Sequence, residues 1–276
     1  MTFSIVARST DGASWGVAVA SKFLAVGNAV PAAVAGLGAL ATQASANVAY
    51  KGLALAHLDD GATASVALQR LLEEDDERDH RQVGIVDVDG NAASHTGPAC
   101  LDWAGSITGD GYAIQGNILT GPEVVEAMER AWLDSADEPD LARRLLAALT
   151  AGDEAGGDAR GRQSAALLVV REDAGYGGLD DVAVDLRVDD AALLPGGTPI
   201  PELARLLDLN DLYLTASTEE EKVPVTPELE AELQAFAQDQ GSTTFLAWVG
   251  AENYEMRVAQ DLSWIDRRIL DVVRER

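Results

Sequence analysis

The chain has 276 residues, 47% of them apolar, and a formal charge of −26. That length and apolar content suffice for a real core: one large domain, or one domain with a small appendage. An acid excess of this size repels nucleic acid and anionic membranes, so neither is expected as a partner. The histidines, His57, His80 and His95, are scattered and Cys100 is the single cysteine. Neither an intramolecular disulfide nor a protein-built metal site is expected, and nothing asks for a cofactor. The Ala- and Val-rich stretch 17–48 is broken by Lys22, Asn28, Pro31, Gln43 and Asn47, and by Gly27, Gly36 and Gly38. It is too interrupted to span a bilayer. With no leader of secretory type, the sequence reads as a soluble cytoplasmic protein.

Residues 2–7 alternate, with Phe3, Ile5 and Ala7 on one side and Thr2, Ser4 and Val6 on the other. Asp11-Gly12 is a hairpin turn signal, and 15–20 reads as the returning strand. Such a hairpin brings Ser21 and Lys22 back beside Thr2. Thr2 follows Met1 and is small enough for that Met to be trimmed, leaving a hydroxyl and a free α-amine on one residue. The amine titrates near about 7.7–8.0, far below a lysine, and is a recognised base for its own hydroxyl nucleophile. Lys22 beside it would depress that value further and stabilise developing negative charge. The other reading of Lys22 is a solvated charge at a strand end.

Two short β-rich runs, 30–34 and 37–43, flank Ala35-Gly36. They end in a polar knot, 42–47, before a helix-like run from Tyr50 to Leu58. These polar groups suit contact with a ligand or an oxyanion and equally suit capping of that helix; capping is the reading for Ser45 and contact that for Gln43 and Asn47. Ala64, Ala67, Leu68, Leu71 and Leu72 mark a helical face. The acidic run 73–77 ends it and is read as solvated. Residues 82–97 form a second hairpin around Asp89-Gly90, with His95 read as a structural residue near its end. In the glycine-dense strand 109–119, Gln115 and Asn117 alternate onto one face. Gly121-Pro122-Glu123 opens a helix buried through Val124, Val125, Met128 and Trp132. Asp140 caps the next one, which Gly152 is expected to stop.

Residues 156–163 are a glycine-rich basic loop in an acidic chain, leading into an apolar strand. Arg160 and Arg162 suit a substrate carboxylate or a neighbouring acid, and Gln163 and Ser164 join Arg160 as substrate-binding candidates. The loop lacks the Gly-Lys-Ser/Thr ending of a phosphate loop. In 181–188, Val182, Val184, Leu186 and Val188 are expected to face inward, and Ile200–Leu209 reads as a short helix. A polar linker is expected over 215–226, so that a first domain spans 1–214. Residues 227–276 then read as a small all-helical module with an aromatic core.

The opening 2–7, the stretch Gly16 to Gly27, Ala41-Thr42-Gln43, Tyr112 to Leu119 and the 156–165 segment together resemble the DUF1028 family, a family of unknown function placed among the N-terminal nucleophile (Ntn) hydrolases. The resemblance runs through most of 2–212. The tail, with Glu252-Asn253 and Trp264-Ile265-Asp266, resembles more weakly a peptidoglycan-binding-like module. The resemblance implies an α+β fold, a four-layer α/β/β/α sandwich of two antiparallel sheets between helix layers. It also implies hydrolysis of an amide through an acyl-enzyme, with Thr2 as nucleophile and backbone N–H groups or Asn47 steadying the oxyanion. A homo-oligomer is expected from the same source, and cell-wall polymer is a candidate partner for the tail. Two readings of function stay open: a threonine amidohydrolase acting on a small amide or peptide-like compound, and a non-catalytic binding or scaffold protein on the same fold.

The carboxylate-dense surface fits a salty cytoplasm, where salt screens mutual repulsion. On that hypothesis calorimetry in molar KCl gives a higher melting temperature than in dilute buffer. Equal temperatures in the two would remove the idea.

Overall fold

The structure is a computed structural model and describes residues 2–275. It divides into two compact units, the first ending at Leu207 and the second beginning at Asp208. In chain order the first holds β1 (Thr2–Arg8), β2 (Ser14–Ser21), the short α1 (Val26–Ala29), β3 (Pro31–Val34), β4 (Gly38–Ala44), α2 (Tyr50–Asp59), α3 (Ala64–Glu73), β5 (Arg81–Asp87) and β6 (Ala92–Thr96). It continues with β7 (Gly105–Gly109), β8 (Tyr112–Asn117), α4 (Glu123–Asp134), α5 (Leu141–Glu154), β9 (Ser164–Arg171), β10 (Val182–Val188) and most of α6 (Pro199–Tyr213). The second unit holds β11 (Lys222–Pro224), α7 (Pro227–Asp239), α8 (Phe245–Ala251), β12 (Trp264–Asp266) and α9 (Arg267–Glu275).

The first unit is mixed α and β, with two antiparallel sheets ordered β10-β9-β2-β1-β8-β7 and β3-β4-β5-β6. The N-terminal hairpin forms as its turn signal predicts, with Phe3 opposite Ala20 and Arg8 opposite Trp15. The two-residue alternation of β1 then divides its side chains between two cores. Phe3, Ile5 and Ala7 pack with Met128, Trp132, Leu145 and Leu149 of α4 and α5, and with Leu203 of α6. Val6 packs with Val17 and Val19 of β2 and, from the other sheet, Ala39, Ala41 and Val86. A third core joins Leu40, Val83 and Ile85, on the far face of the smaller sheet, to Tyr50 and Leu58 of α2 and Leu68 and Leu71 of α3. Thr63 caps α3 by accepting from the Val66 N–H, and Asp140 caps α5 by accepting from Ala142 and Arg143.

Four expectations change. Gly152 does not end α5, which runs on to Glu154. It is glycine because a Cβ there would approach Met128 Cγ to 2.7 Å, so it lets the helices close up. Val182 is exposed, since a register shift between Val182 and Val184 turns it outward. The 215–226 stretch is no free linker: it lies inside the second unit, where Lys222–Pro224 pairs with Trp264–Asp266. That pairing also means the tail is not all-helical.

The second unit has its own aromatic core, with Trp248 edge-on to Phe236 and stacked on Phe245. At its centre Arg257 and Asp266, both buried, pair at 2.9 Å. Ser217 Oγ donates to the same carboxylate, and Arg257 Nε donates to the Leu212 carbonyl at 3.0 Å. Burial works to raise the Asp266 pKa, but Ser217, the Arg268 N–H and the two arginines outweigh it and hold it below its ordinary value. Removing one partner leaves the other charge buried and uncompensated, at a cost of about 3–5 kcal/mol. Asp266→Ala should therefore speed hydrogen exchange throughout 208–275 while leaving the first unit's protection unchanged. Glu219→Ala, which breaks an exposed pair with Lys222, should move exchange by less than about 1 kcal/mol equivalent.

Candidate functional site

Thr2 begins β1 with its side chain buried, and its Oγ lies 3.1 Å from Ser21 Oγ. The antiparallel register explains the neighbour: Phe3 faces Ala20, so the residue opposite Thr2 is Ser21 and not Lys22. Lys22 is exposed, and its ammonium donates at 3.4 Å to the Arg162 carbonyl at the surface. Its backbone N–H donates to Asp158 Oδ2 at 2.7 Å. The cation expected beside Thr2 is thus turned away by one step of strand alternation.

Behind Thr2 lies a set of buried amides that joins the two sheets. Gln43 Nε2 donates to Gln82 Oε1 at 2.8 Å and, at 3.3 Å each, to the carbonyls of Thr2 and Gln115. Gln43 Oε1 accepts from Ser4 Oγ at 2.7 Å, and Ser4 Oγ accepts from Gln115 Nε2 at 2.6 Å. Asn117, opposite Thr2 in the sheet, donates through Nδ2 to Gln82 Oε1 at 2.9 Å. Gln82 Nε2 in turn donates to the Gly116 carbonyl at 2.7 Å. Gly84 makes room for this set: a Cβ on it would fall 2.1 Å from Gln115 Oε1, an atom with no hydrogen-bond partner. Gln43, Gln115 and Asn117 therefore sit where their strands predict but hold one another, and through the Thr2 carbonyl they fix the start of β1. Sequence reasoning passed over Ser4 and Gln82. The available signal was a polar side chain on an otherwise apolar strand face.

A cleft of about 210 Å³ opens at Thr2. Gln43 and Arg160 line it on the polar side, and Phe23, Val26 and Val30 on the apolar side. Its walls are held by neighbours. Ser164, a predicted ligand contact, instead accepts from the Val26 N–H and donates to the Phe23 carbonyl, tying down the 23–26 wall. Gln163 uses its backbone, donating to the Ser21 carbonyl and accepting from the Ala191 N–H. Arg160 comes from the glycine-rich loop, where Gly156 and Gly161 adopt φ of 120° and 106° that other residues avoid. Asp158 anchors that loop by accepting from the N–H groups of Lys22 and Arg160.

Ala44 borders both this cleft and a second one of about 390 Å³, lined by Ser45, His80, Cys100, Leu101, Asn117 and Ile118. Burial pushes the Cys100 thiol up, which leaves it a poor nucleophile near neutral pH. Ala25, Ala44 and Ile118 all take left-handed backbone conformations, with φ of 52°, 66° and 51°. For side chains with a Cβ this costs roughly 1–2 kcal/mol each, and such strain gathers at functional sites.

Asn47 does not face the Thr2 cleft. Its Nδ2 donates to Asp75 Oδ2 at 3.1 Å and its Oδ1 accepts from the Ala49 N–H at the start of α2. Asp75, read from the sequence as one of a solvated acidic run, is buried. It accepts from Tyr50 at 2.7 Å and Arg81 Nε at 2.9 Å, and Arg81 also donates to the Ser45 carbonyl at 2.8 Å. This unit holds the 44–47 segment that separates the two clefts. Among the described residues no group of three or more His, Cys, Asp or Glu is placed to hold a metal ion. No helix among them is long and apolar enough to cross a membrane.

Residues 2–202 match the family of unknown function DUF1028. The chain belongs to that family. The crystal structure of protein SPO2555 from Silicibacter pomeroyi, which carries the same family designation, is similar to this chain with a TM-score of 0.67 and 33% identity. The likeness covers 76% of this chain and 89% of that one. Among curated proteins none matches. The DUF1028 match includes Thr2, the amide set and the 156–161 loop, and stops short of the second unit.

The Arg81 guanidinium, with Tyr50, Asn47 and the Glu77 N–H, outweighs burial and holds the Asp75 carboxyl well below its ordinary range. A carboxylate depressed in this way stabilises the fold fully above its unfolded value of about 3.9, and the contribution fades as pH falls toward the folded value. Asp75→Asn should therefore cost about 2 kcal/mol at pH 7. Urea melts should show the gap from wild type closing below about pH 4. A gap that ignores pH would rule out this role for the Asp75 charge.

Proposed function

We propose that this DUF1028 protein is an N-terminal-threonine amidohydrolase that cleaves a small amide or peptide-like substrate through an acyl-enzyme. We further propose that the three cores and two antiparallel sheets of the first unit make up the four-layer α/β/β/α sandwich of the Ntn-hydrolase type. One observation carries the reading: Thr2, on the first strand, opens directly onto a cleft while its hydroxyl and carbonyl are both held, by Ser21 and Gln43.

In the proposed reaction, removal of Met1 frees the Thr2 amine. That amine takes the Oγ proton as Oγ bonds to the substrate carbonyl carbon. The tetrahedral intermediate collapses with cleavage of the C–N bond, and the proton passes to the departing amine. Water, deprotonated by the same α-amine, then attacks the ester and releases the acid with Thr2 restored. The sum is amide plus water to acid plus amine. Ser21 orients the nucleophile by the Oγ–Oγ contact. Lys22 and Asn47 take no part, being engaged at the surface and with Asp75.

Intact mass of the purified protein comes first, with Met1 expected to be absent. A β-lactone should then add once, on the N-terminal peptide of wild type and of Thr2→Ser, and not on Thr2→Ala. Loss of the Oγ–Oγ contact should cost Thr2→Ala only about 1 kcal/mol, so the variant stays folded. A retained Met1, or equal labelling of wild type and Thr2→Ala, would leave a binding or scaffold role instead.

A further inference from the structure

We infer that the Thr2 cleft takes a substrate with a free carboxylate and a compact apolar group, of the class of N-acylated aliphatic amino acids, with Arg160 gripping the carboxylate. This rests on the cleft at Thr2 being the substrate site. The chain as a whole carries 46 acids against 20 Lys and Arg. Yet among the described residues lining this cleft, Arg160 is the one with an ionisable side chain. A guanidinium at the mouth of a small cleft, with low-dielectric walls beside it, draws an anion rather than a neutral or cationic group.

Arg160 is also built in rather than hanging free. The loop that carries it is fastened on both sides: Ala159 N–H donates to the Ile118 carbonyl, Thr120 N–H to the Gly157 carbonyl, and Asp158 accepts from the Arg160 and Lys22 N–H groups. Arg160 Nη2 lies 3.4 Å from Asp158 Oδ2, which sets the plane of the guanidinium. Asp158 itself is buried, whereas the Arg160 side chain is 45% exposed and within reach of a ligand. A guanidinium offers a carboxylate a directed donor as well as a positive charge.

The rest of the cleft sets the remainder of the molecule. Phe23, Val26, Ala29 and Val30 form an apolar wall that accepts an aliphatic side chain and offers it no hydrogen bond. At about 210 Å³ the cleft has room for a group of amino-acid size. With the carboxylate at Arg160 and the side chain on that wall, the acyl carbonyl is left for the remaining polar edge of the cleft, where Thr2 and Gln43 stand.

The test is binding, kept apart from turnover by using folded full-length Thr2→Ala. N-acetyl-L-valine and its neutral counterpart N-acetyl-L-valinamide are titrated by NMR line shifts up to about 20 mM. The acid should bind at least about tenfold more tightly than the amide, equivalent to about 1.4 kcal/mol. Arg160→Gln should erase that preference, and Arg160→Lys should keep part of it, since it retains charge without the guanidinium. Arg160 is half-exposed, so both variants should melt within a few degrees of the parent. Equal binding of the two probes, no binding of either, or an undiminished preference in Arg160→Gln would each overturn the inference. Failure of the hydrolase reading shows separately, as absence of the β-lactone adduct.

Discussion

The site depends on amides buried between two sheets. An amide in an apolar interior without partners costs about 1–3 kcal/mol, whereas one that is fully bonded is close to neutral. The stretch between the sheets is therefore divided. Toward the hairpin tips it is filled by Val6, Val17 and Val86. Toward Thr2 it is filled by Ser4, Gln43, Gln82, Gln115 and Asn117, drawn from β1, β4, β5 and β8. An apolar interface would tolerate a slide of one strand pair on another, but this one would orphan several donors at once. The amide set thus fixes register and, through the Thr2 carbonyl, places the first residue of the chain's first strand. Stability and site geometry come from the same hydrogen bonds.

The walls of the cleft show the same logic at longer range. Ser164 on β9 holds the 23–26 segment, Asp158 holds the loop bearing Arg160, and Asp75 with Arg81 holds residues 44–47. Each is a side chain that satisfies backbone groups of an irregular segment, which otherwise would be left unpaired on burial. Ala25, Ala44 and Ile118 take left-handed conformations within or next to these segments. The strain persists because flanking hydrogen bonds over-determine the backbone there.

The regular elements were legible in the sequence because they rest on local signals. The Asp11-Gly12 and Asp89-Gly90 turns, the alternation in β1 and the Asp140 cap all act within a few residues. What sequence reasoning misplaced depends on partners far along the chain. Lys22 was set beside Thr2 because the hairpin brings the strand end near it, but the register gives that place to Ser21. Asp75 looked solvated inside an acidic run, and only the approach of Tyr50 and Arg81 distinguishes it from Asp76. Asn47 and Ser164 are predicted from the sequence as oxyanion and substrate contacts, yet their partners in the structure are Asp75 and the 23–26 backbone. Gln82 carried a weak signal, a long amide at the start of an apolar strand, whose meaning appears only when β5 lies against β4 and faces β8.

The two ends of the inter-sheet space differ in a way that bears on access. At the far end of β1, Arg8 N–H donates to the Gly111 carbonyl and Gly111 N–H to the Gly90 carbonyl, so the β7–β8 turn is bonded both to β1 and to the β5–β6 turn. Arg8 Nη1 donates to the Asp89 carbonyl, and Trp15 Nε1 to the Asp87 carbonyl. Those bonds join turns of both sheets and close that end. At the near end the amide set joins the two sheets, and β2, β4 and β8 lead into irregular segments that border the clefts. A molecule reaching Thr2 therefore arrives from the side where Arg160 and the 23–26 wall stand.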